Sequence, residues 1–176
     1  LIHISSNSIF DNCSNRFRDK NQIPNSNTNY GISKLKAEEN IVKNLDLSRY
    51  LILRTPQHYS NNLNNKRNLL CGIYHELKVN KKIEIYKNEI FSISSCRQIS
   101  RCILKSIKED YFGIFHACEV KEYTWVDIAS IIARKLDLDI NKSIHLKYAN
   151  PIKKNNTLVP CTQTKLESDL EIKNFN

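Results

Sequence analysis

Two residues of one short segment, Tyr30 and Lys34, are spaced for proton-transfer chemistry. They stand four positions apart, which places both side chains on one face of a helix. A tyrosine phenol has a pKa of about 10, so it needs help to pass a proton at neutral pH. A nearby ammonium group favours the phenolate and can also hydrogen-bond a ribose. The pair is therefore suited to protonating a carbonyl group that is being reduced.

Ser6 is a third residue whose type and place suit this chemistry. It ends an apolar segment, residues 1–6, and stands 24 residues before Tyr30. A hydroxyl at the end of a buried strand can bind the oxygen of a substrate carbonyl and share its proton. Spacing alone is weakly specific, because a half-buried tyrosine beside a solvated lysine is common on helices. The strand upstream and a second strand at 50–54 make the catalytic interpretation more specific.

The elements that must position these residues follow from hydrophobic periodicity and chain breakers. Predicted strands cover 1–6, 50–54, 82–86, 113–118 and 143–147, and predicted helices cover 30–44, 69–79, 98–108 and a segment capped by Thr124 that runs to about 136. Polar segments at 12–29 and 61–68 predict loops, 151–163 is irregular, and 165–170 is a last helical turn. Strands alternate with helices, which favours an α/β fold. No linker divides the chain into independent domains.

The composition narrows the choice of partners and compartment. The chain has 176 residues and a formal net charge of +9. Its lysines and arginines are scattered, and no nucleic-acid-binding motif occurs, so the charge suits an anionic small substrate better than a nucleic acid. No run of 18 apolar residues predicts a membrane span. We therefore expect a cytoplasmic protein with no nucleic-acid or membrane partner.

The cysteines and histidines predict no metal site. None of the six cysteines forms a C-x-x-C pair, and several lie in apolar surroundings, where cysteine acts as a small hydrophobe. This usage fits a reduced compartment. His3 and His116 fall in predicted strands, where packing is a more frequent role than metal binding. We expect Trp125 to pack the start of its helix against the core.

Three segments together resemble a known family. They are residues 2–11 (IHISSNSIFD), 30–39 (YGISKLKAEE) and 51–55 (LILRT). In this order they resemble the extended short-chain dehydrogenases/reductases, and within that group they are most similar to the dTDP-4-dehydrorhamnose reductases. Residues 113–116 and 123–129 resemble the later part of that family more loosely, as do short matches at 156–157 and 164–166. The resemblance runs with gaps from residue 1 to about residue 172.

The resemblance implies a fold and a division of the chain. It implies the C-terminal half of a Rossmann-type, NAD(P)-binding, doubly wound parallel sheet, together with a small α/β substrate-binding lobe. Residues 1–60 would end the Rossmann part, and 61–176 would form mostly the lobe of a single partial domain. The family's glycine-rich phosphate turn does not occur in this sequence. We therefore expect a fragment of a longer protein, with an incomplete cofactor site.

The resemblance also implies catalytic and cofactor-binding roles. Ser6 would bind and polarise the substrate carbonyl, and Tyr30 would donate the proton. Lys34 would hold the nicotinamide ribose together with Tyr30. Arg54 and Thr55 end the strand that meets the nicotinamide in this family. The cofactor would be NADPH or NADH, and no metal is implied at the site.

On the substrate side the resemblance is less regular. Ser6, Asn7 and Gln57 would contact the sugar of a nucleoside-diphosphate sugar. Asn7 stands where the family usually has aspartate, and Gln57 stands where it has tryptophan. Residues 91–94 lack the glycine and proline of the matching family stretch. Because of these departures, the resemblance does not identify the sugar that is bound.

The expected activity is NAD(P)H-dependent reduction of a nucleotide-linked 4-keto-deoxysugar, in the synthesis of deoxysugars for surface polysaccharide. A homodimer is compatible with the resemblance. Two alternatives stay open. One is an epimerase or dehydratase of the same family, which uses the same three residues with tightly bound NAD. The other is a non-catalytic, truncated reductase-like protein that binds a sugar nucleotide or regulates a partner enzyme.

Overall fold

The computed structural model describes residues 1–10, 22–60, 68–87, 89–118 and 122–147, with the backbone of 17–18 and 157–158. Its strands are β1 (Ile2–Ser6), β2 (Phe17–Arg18), β3 (Leu51–Thr55), β4 (Gln57–Tyr59), β5 (Ile83–Tyr86), β6 (Ile90–Ser95), β7 (Gly113–His116), β8 (Glu122–Thr124), β9 (Ile144–Lys147) and β10 (Thr157–Leu158). Its helices are α1 (Asn29–Asn44), α2 (Leu69–Lys78), α3 (Cys96–Lys108), α4 (Trp125–Lys135) and α5 (Ile140–Ser143), with 3₁₀ turns at Asn7–Phe10 and Leu47–Arg49.

A parallel sheet of β1, β3 and β7 carries the N-terminal candidate residues. β3 lies between the other two strands, and all five of its residues are buried. Its run of branched apolar residues suits a strand covered on both faces. Because the strands are parallel and Ser6 pairs with Thr55, both residues lie at the carboxyl edge of the sheet. In open α/β folds, ligands bind at this edge.

The second half of the chain builds smaller sheets around the larger apolar core. β6 pairs with β4 in parallel and with β8 in antiparallel fashion, and β5 pairs with β9 in parallel. The larger apolar core contains fully buried side chains from α2, β6, β8 and α4: Leu77, Ile93, Tyr123, Ile128, Ala129 and Ala133. A separate, smaller cluster covers the parallel sheet, where Cys102 of α3 packs against Leu53 and Phe115.

Most predicted elements are confirmed, with boundaries shifted by a few residues. The capped helix is an example, because the Thr124 hydroxyl accepts from the Asp127 amide while the Asp127 carboxylate accepts from the Thr124 amide. This reciprocal arrangement gives hydrogen-bond acceptors to these two backbone amides, which have no acceptor within the helix. Several predicted segments lie outside the described residues: 61–67 of one loop, 12–16 and 19–21 of the other, and the C-terminal segments at 151–163 and 165–170 apart from β10.

Five strands were not predicted: β2, β4, β6, β8 and β10. Of these, β2 lies in the predicted loop at 12–29 and β10 in the segment at 151–163 that was predicted to be irregular. β6 carries serines at Ser92 and Ser94, which are buried, so its composition does not read as an apolar strand. The Ser94 hydroxyl donates to the carbonyl oxygen of Ala117 at 2.8 Å, which satisfies a buried polar group.

The division of the chain at residue 60 into a Rossmann part and a substrate-binding lobe stays a prediction. β7 lies in the same sheet as β1 and β3 although it comes late in the chain.

Candidate active site

Ser6 ends β1 and is held by the turn that follows it. Its hydroxyl oxygen accepts a hydrogen bond from the Ser8 amide at 3.1 Å and lies 3.4 Å from the Asn7 side-chain oxygen. Ser6 is buried to 7% exposure. A short polar run after an apolar strand favours such a local side-chain turn over further pairing in the sheet. The hydroxyl is thereby fixed at the carboxyl edge of the parallel sheet.

Helix α1 carries Tyr30 in its first turn and Lys34 one turn later. Thr28 caps the helix by accepting from the Gly31 amide at 3.1 Å. The Lys34 ammonium donates to the carbonyl oxygen of Ile4 at 3.0 Å and lies 5.9 Å from the centre of the Tyr30 ring. Tyr30 is 56% exposed. The predicted pairing of these two side chains on one helical face is therefore present in the structure.

Gly31 allows α1 to approach the Ser6 turn. A Cβ atom at position 31 would overlap the Ser8 carbonyl oxygen and the Ser26 side chain. Any other residue would push the first turn of α1 away from the turn that follows β1. Gly31 thus sets the distance between the segment that holds Tyr30 and the segment that holds Ser6.

A cavity of about 330 Å³ joins the candidate residues. Of the predicted site residues, it is lined by Ser6, Asn7, Tyr30, Thr55 and Gln57. The Thr55 hydroxyl donates to the Ser5 carbonyl oxygen at 3.0 Å, which ties the ends of β3 and β1 together. The cavity has the size of a small-ligand site. These five residues lie up to 51 positions apart in the sequence, and the fold brings them to one place.

Arg54, like Lys34, is not among the residues that line this cavity. Its Nε and Nη2 atoms donate to the Glu38 carboxylate at 2.8 to 3.2 Å. Its guanidinium carbon also lies 5.2 Å from the centre of the Phe10 ring. Both charged side chains are 4% exposed. A direct role of Arg54 in cofactor binding stays a prediction, and the contacts that the structure shows are with protein groups.

Several cavity residues were not predicted from the sequence: Ser8, Pro56, His58, Ser60, Asn68 and Cys96. Asn68 caps α2 by accepting from the Leu70 amide at 3.0 Å. Cys96 begins α3 directly after its capping residue, Ser95. The caps themselves are visible in the sequence as helix-start signals. The convergence of these caps on one cavity is not visible in the sequence, because it depends on where the fold places the starts of the two helices.

A second cavity, of about 310 Å³, lies further along α2. Gly72, Ile73 and Glu76 of α2 line one side, and β5, Glu89 and Trp125 line the rest. The Trp125 indole donates to the Glu89 carboxylate at 3.0 Å and its ring lies 4.1 Å from that of Phe91. Trp125 packs against the larger core, as predicted, and it also borders this cavity.

The charge of α1 acts on His3, which lies on β1 beneath the helix. Burial lowers the pKa of His3, the nearby Lys34 ammonium lowers it further, and the Glu38 carboxylate opposes both. His3 and His116 belong to strands of the parallel sheet, and His116 is buried, as expected for packing residues. Across the described ranges, no three potential metal ligands come together, and no helix there is long and apolar enough to span a membrane.

The comparison with known families gives one match to the whole chain. The family model described as the RmlD substrate binding domain matches residues 1–176. A search of curated proteins finds no significant match. The resemblance to dTDP-4-dehydrorhamnose reductases predicted from the three N-terminal segments is therefore confirmed at the level of the family.

Solved structures share the fold at low sequence identity. The dTDP-4-dehydrorhamnose reductase of Yersinia enterocolitica superposes with a TM-score of 0.81 at 21% identity, over 97% of this chain and 60% of that one. The Bacillus anthracis reductase in complex with NADP gives 0.78 at 19%, over 92% and 57%. The dTDP-glucose 4,6-dehydratase of Streptomyces venezuelae with NAD bound gives 0.74 at 16%, over 99% and 55%.

These superpositions confirm the predicted α/β, Rossmann-type class of fold. The chain spans less than two thirds of the length of each of these solved relatives. The whole-length family match and the shared fold lead to one conclusion. This chain belongs to the RmlD substrate binding domain family.

Proposed function

We propose that this chain is the sugar-nucleotide-binding and proton-donating part of a reductase that uses NADPH or NADH. The substrate would be a 4-keto-deoxysugar linked to a nucleoside diphosphate, as the names of the reductase relatives suggest. One observation carries the proposal. Ser6 and Tyr30 line the same cavity, and the Lys34 ammonium lies beside the Tyr30 ring.

Each of the three residues has a part in protonating the sugar. The Ser6 hydroxyl would donate a hydrogen bond to the ketone oxygen and so favour negative charge on it. The Tyr30 phenol would then give that oxygen its proton as general acid. The Lys34 ammonium would stabilise the phenolate that remains. Tyr30 is accessible, as a group that exchanges protons with solvent between turnovers needs to be.

The residues present fit the nicotinamide end of a cofactor. An ammonium group has three N–H donors, and the bond to Ile4 uses one, so Lys34 retains donors for the hydroxyls of a ribose. Tyr30 would share that ribose with it. When bound, the nicotinamide supplies the hydride. The chain's three glycines do not form a phosphate-binding turn, so these residues account for only this end of the cofactor.

Helix α2 offers a path for the nucleotide part of the substrate. Asn68 at its start lines the first cavity, and Gly72 and Glu76 line the second. Asn68 and Glu76 are eight residues apart, which is about 12 Å along a helix. That distance suits a sugar in the first cavity and a base in the second, against Trp125. Because Glu76, Glu84 and Glu89 border the second cavity, the diphosphate would lie between the two.

An epimerase or dehydratase activity is the second candidate. It is favoured by the dTDP-glucose 4,6-dehydratase that shares the fold, since the same three residues could serve it. The two activities differ in redox balance. A reductase consumes one NAD(P)H per sugar, whereas an epimerase returns its nicotinamide to the starting state. The synthesis of deoxysugars for surface polysaccharide and a homodimer belong to the proposal on the resemblance alone, and a cytoplasmic location belongs to it on the composition and cysteine usage.

The test has a binding stage and a turnover stage. Calorimetry of this chain with a dTDP-linked sugar should show saturable binding, which Gln57→Ala and Asn68→Ala weaken. Ser48→Ala, on an exposed 3₁₀ turn, is the matched control and should bind as the wild type does. Turnover is measured with the protein from the full open reading frame, a dTDP-4-keto sugar and NADPH. Product without net loss of NADPH would replace the reductase proposal with an epimerase, and no binding by the folded chain would contradict both.

A further inference from the structure

Glu38 is a buried carboxylate that the proposed mechanism does not use. It lies on α1 four residues after Lys34 and is 3% exposed. A lysine and a glutamate at this spacing are neighbours on the helix surface and commonly pair. In this structure they do not pair. Lys34 donates to the Ile4 carbonyl oxygen, and Glu38 is bound by Arg54.

Arg54 is well placed to hold Glu38. Three N···O distances of 2.8 to 3.2 Å join its Nε and Nη2 atoms to the two carboxylate oxygens. A guanidinium that binds a carboxylate through two nitrogens is more specific in geometry than an ammonium. The guanidinium carbon also lies 5.2 Å from the centre of the Phe10 ring, a cation–π contact. Phe10 is fully buried, so Arg54 has little room to move.

Two cations are placed to pair with Glu38. One is Arg54, which does so, and the other is Lys34, one helical turn away on α1. Both Lys34 and Glu38 influence the pKa of His3, in opposite directions, so their charges approach the same ring of β1. A buried carboxylate without a partner is strongly unfavourable. If Arg54 did not occupy it, Glu38 would draw another cation, and Lys34, four residues earlier on the same helix, is placed to supply one.

We propose that Arg54 is a positioning residue for Lys34. By occupying Glu38, it leaves the Lys34 ammonium on the Ile4 carbonyl oxygen and beside Tyr30. The purpose of this arrangement rests on the proposed function, in which Lys34 supports the phenolate of Tyr30 and a cofactor ribose. The arrangement itself is a property of this chain and can be tested without substrate.

The test compares Arg54→Met with the double variant Glu38→Gln/Arg54→Met. In Arg54→Met we expect the Lys34 ammonium to leave Ile4 and pair with Glu38 in a crystal structure. In solution, a water-soluble carbodiimide should then join Lys34 to Glu38 as an amide, with loss of one water, detected by peptide mass spectrometry. The wild type and the double variant should lack this amide. Glu39 and Lys43, both exposed and four residues apart, are the internal control for the reagent in every variant.

A purely structural role for Arg54 predicts different results. Arg54→Met would then unfold more easily, yet Lys34 would stay on Ile4 and no amide to Glu38 would form. That outcome would overturn the proposal, as would an amide of equal yield in the wild type. In the double variant, the Lys34 ammonium should again bind the Ile4 carbonyl oxygen. The stability that was lost with Arg54 should not be regained. If Arg54→Met does not fold, Arg54→Gln removes the charge while keeping a donor and carries the same expectations.

These readouts are independent of the test of the proposed function. They use no nucleotide sugar and no cofactor, so a failure of Lys34 to move leaves sugar binding and reduction as open as before. Conversely, a chain that binds no nucleotide sugar can still show the exchange of Lys34 from Ile4 to Glu38. In that case the positioning would be real, but it would serve some other use of Lys34.

Discussion

Gly31 packs directly against the carbonyl oxygen of Ser8, with no room for a Cβ atom between them. This contact joins the first turn of α1 to the turn that follows β1. It therefore decides how closely Tyr30 can approach Ser6. The two residues belong to different elements, and their contact is the point at which the helix and the sheet edge fit together.

We expect Gly31→Ala to destabilise the chain by about 1–3 kcal/mol, the range for an added methyl group in a packed site. The free energy of unfolding in urea measures this. Gly72→Ala is the matched control, since a Cβ there meets nothing within 4 Å. On a helix, that change should stabilise by about 0.5–1 kcal/mol. Equal effects of the two changes would show that the close packing of Gly31 is unimportant.

Tyr30→Phe should remove turnover and keep binding. Only the phenolic proton is lost, so we expect kcat of the full-length enzyme to fall on the order of 10²–10⁴-fold, with nucleotide-sugar affinity nearly unchanged. Tyr74→Phe is the control, because Tyr74 packs on the larger core and does not line the first cavity. Steady-state kinetics and calorimetry give the two readouts. Turnover near the wild-type rate would remove Tyr30 from the mechanism.

His3 should make stability fall in mildly acidic solution. Burial and the Lys34 charge lower its pKa below the ordinary value of 6.5, so the unfolded chain takes up a proton at a higher pH than the folded chain does. The stabilisation that this provides is fully present above about pH 6.5 and is lost as the pH falls through the lowered folded pKa. His3→Gln should flatten this part of the profile.

Urea unfolding at a series of pH values between about 5 and 8 measures the effect. Carboxylates also contribute at the acid end, so the quantity to follow is the wild-type curve minus that of His3→Gln. His145→Gln serves as control, because His145 is exposed on β9. A difference curve for His3→Gln that does not change with pH would contradict the prediction.

Cys96 offers a probe of the first cavity. It is the cysteine that lines the cavity and is partly exposed, whereas Cys71, Cys102 and Cys118 are buried. We expect a maleimide to label Cys96 well before these three. A bound nucleotide sugar should slow its labelling, and peptide mass spectrometry resolves each site, including the two cysteines outside the described residues. Labelling of Cys96 that ignores saturating ligand would argue that the ligand binds elsewhere.

Part of the site was predictable because its signals are local. Tyr30 and Lys34 are four residues apart on one helix, and Ser6 ends an apolar strand, so residue type, spacing and the neighbouring predicted strands together grouped them. The structure adds that Ser6 pairs with Thr55 at the carboxyl edge of the parallel sheet. Helix starts were equally readable, as the reciprocal cap of Thr124 and Asp127 shows.

Other parts were not predictable because their signals are long-range. β4 and β6 contain polar residues and lack the hydrophobic pattern by which a strand is predicted. They form strands because they pair with one another. Asn68 and Cys96 share a cavity only once the fold has brought the starts of α2 and α3 to one place. Glu38 reads as one more charged residue on an amphipathic helix until Arg54 is found beneath it.

The amino-acid sequence by itself determined which groups could do the chemistry and which helix and strands hold them, since helical spacing and hydrophobic runs are properties of neighbouring residues. The tertiary structure alone decided which partner each charged group takes. Lys34 could pair with Glu38 along the helix, but the contacts of α1 with β1 and β3 give Glu38 to Arg54 and Lys34 to the Ile4 carbonyl oxygen. That choice depends on contacts between residues distant in sequence, and it leaves the ammonium beside Tyr30.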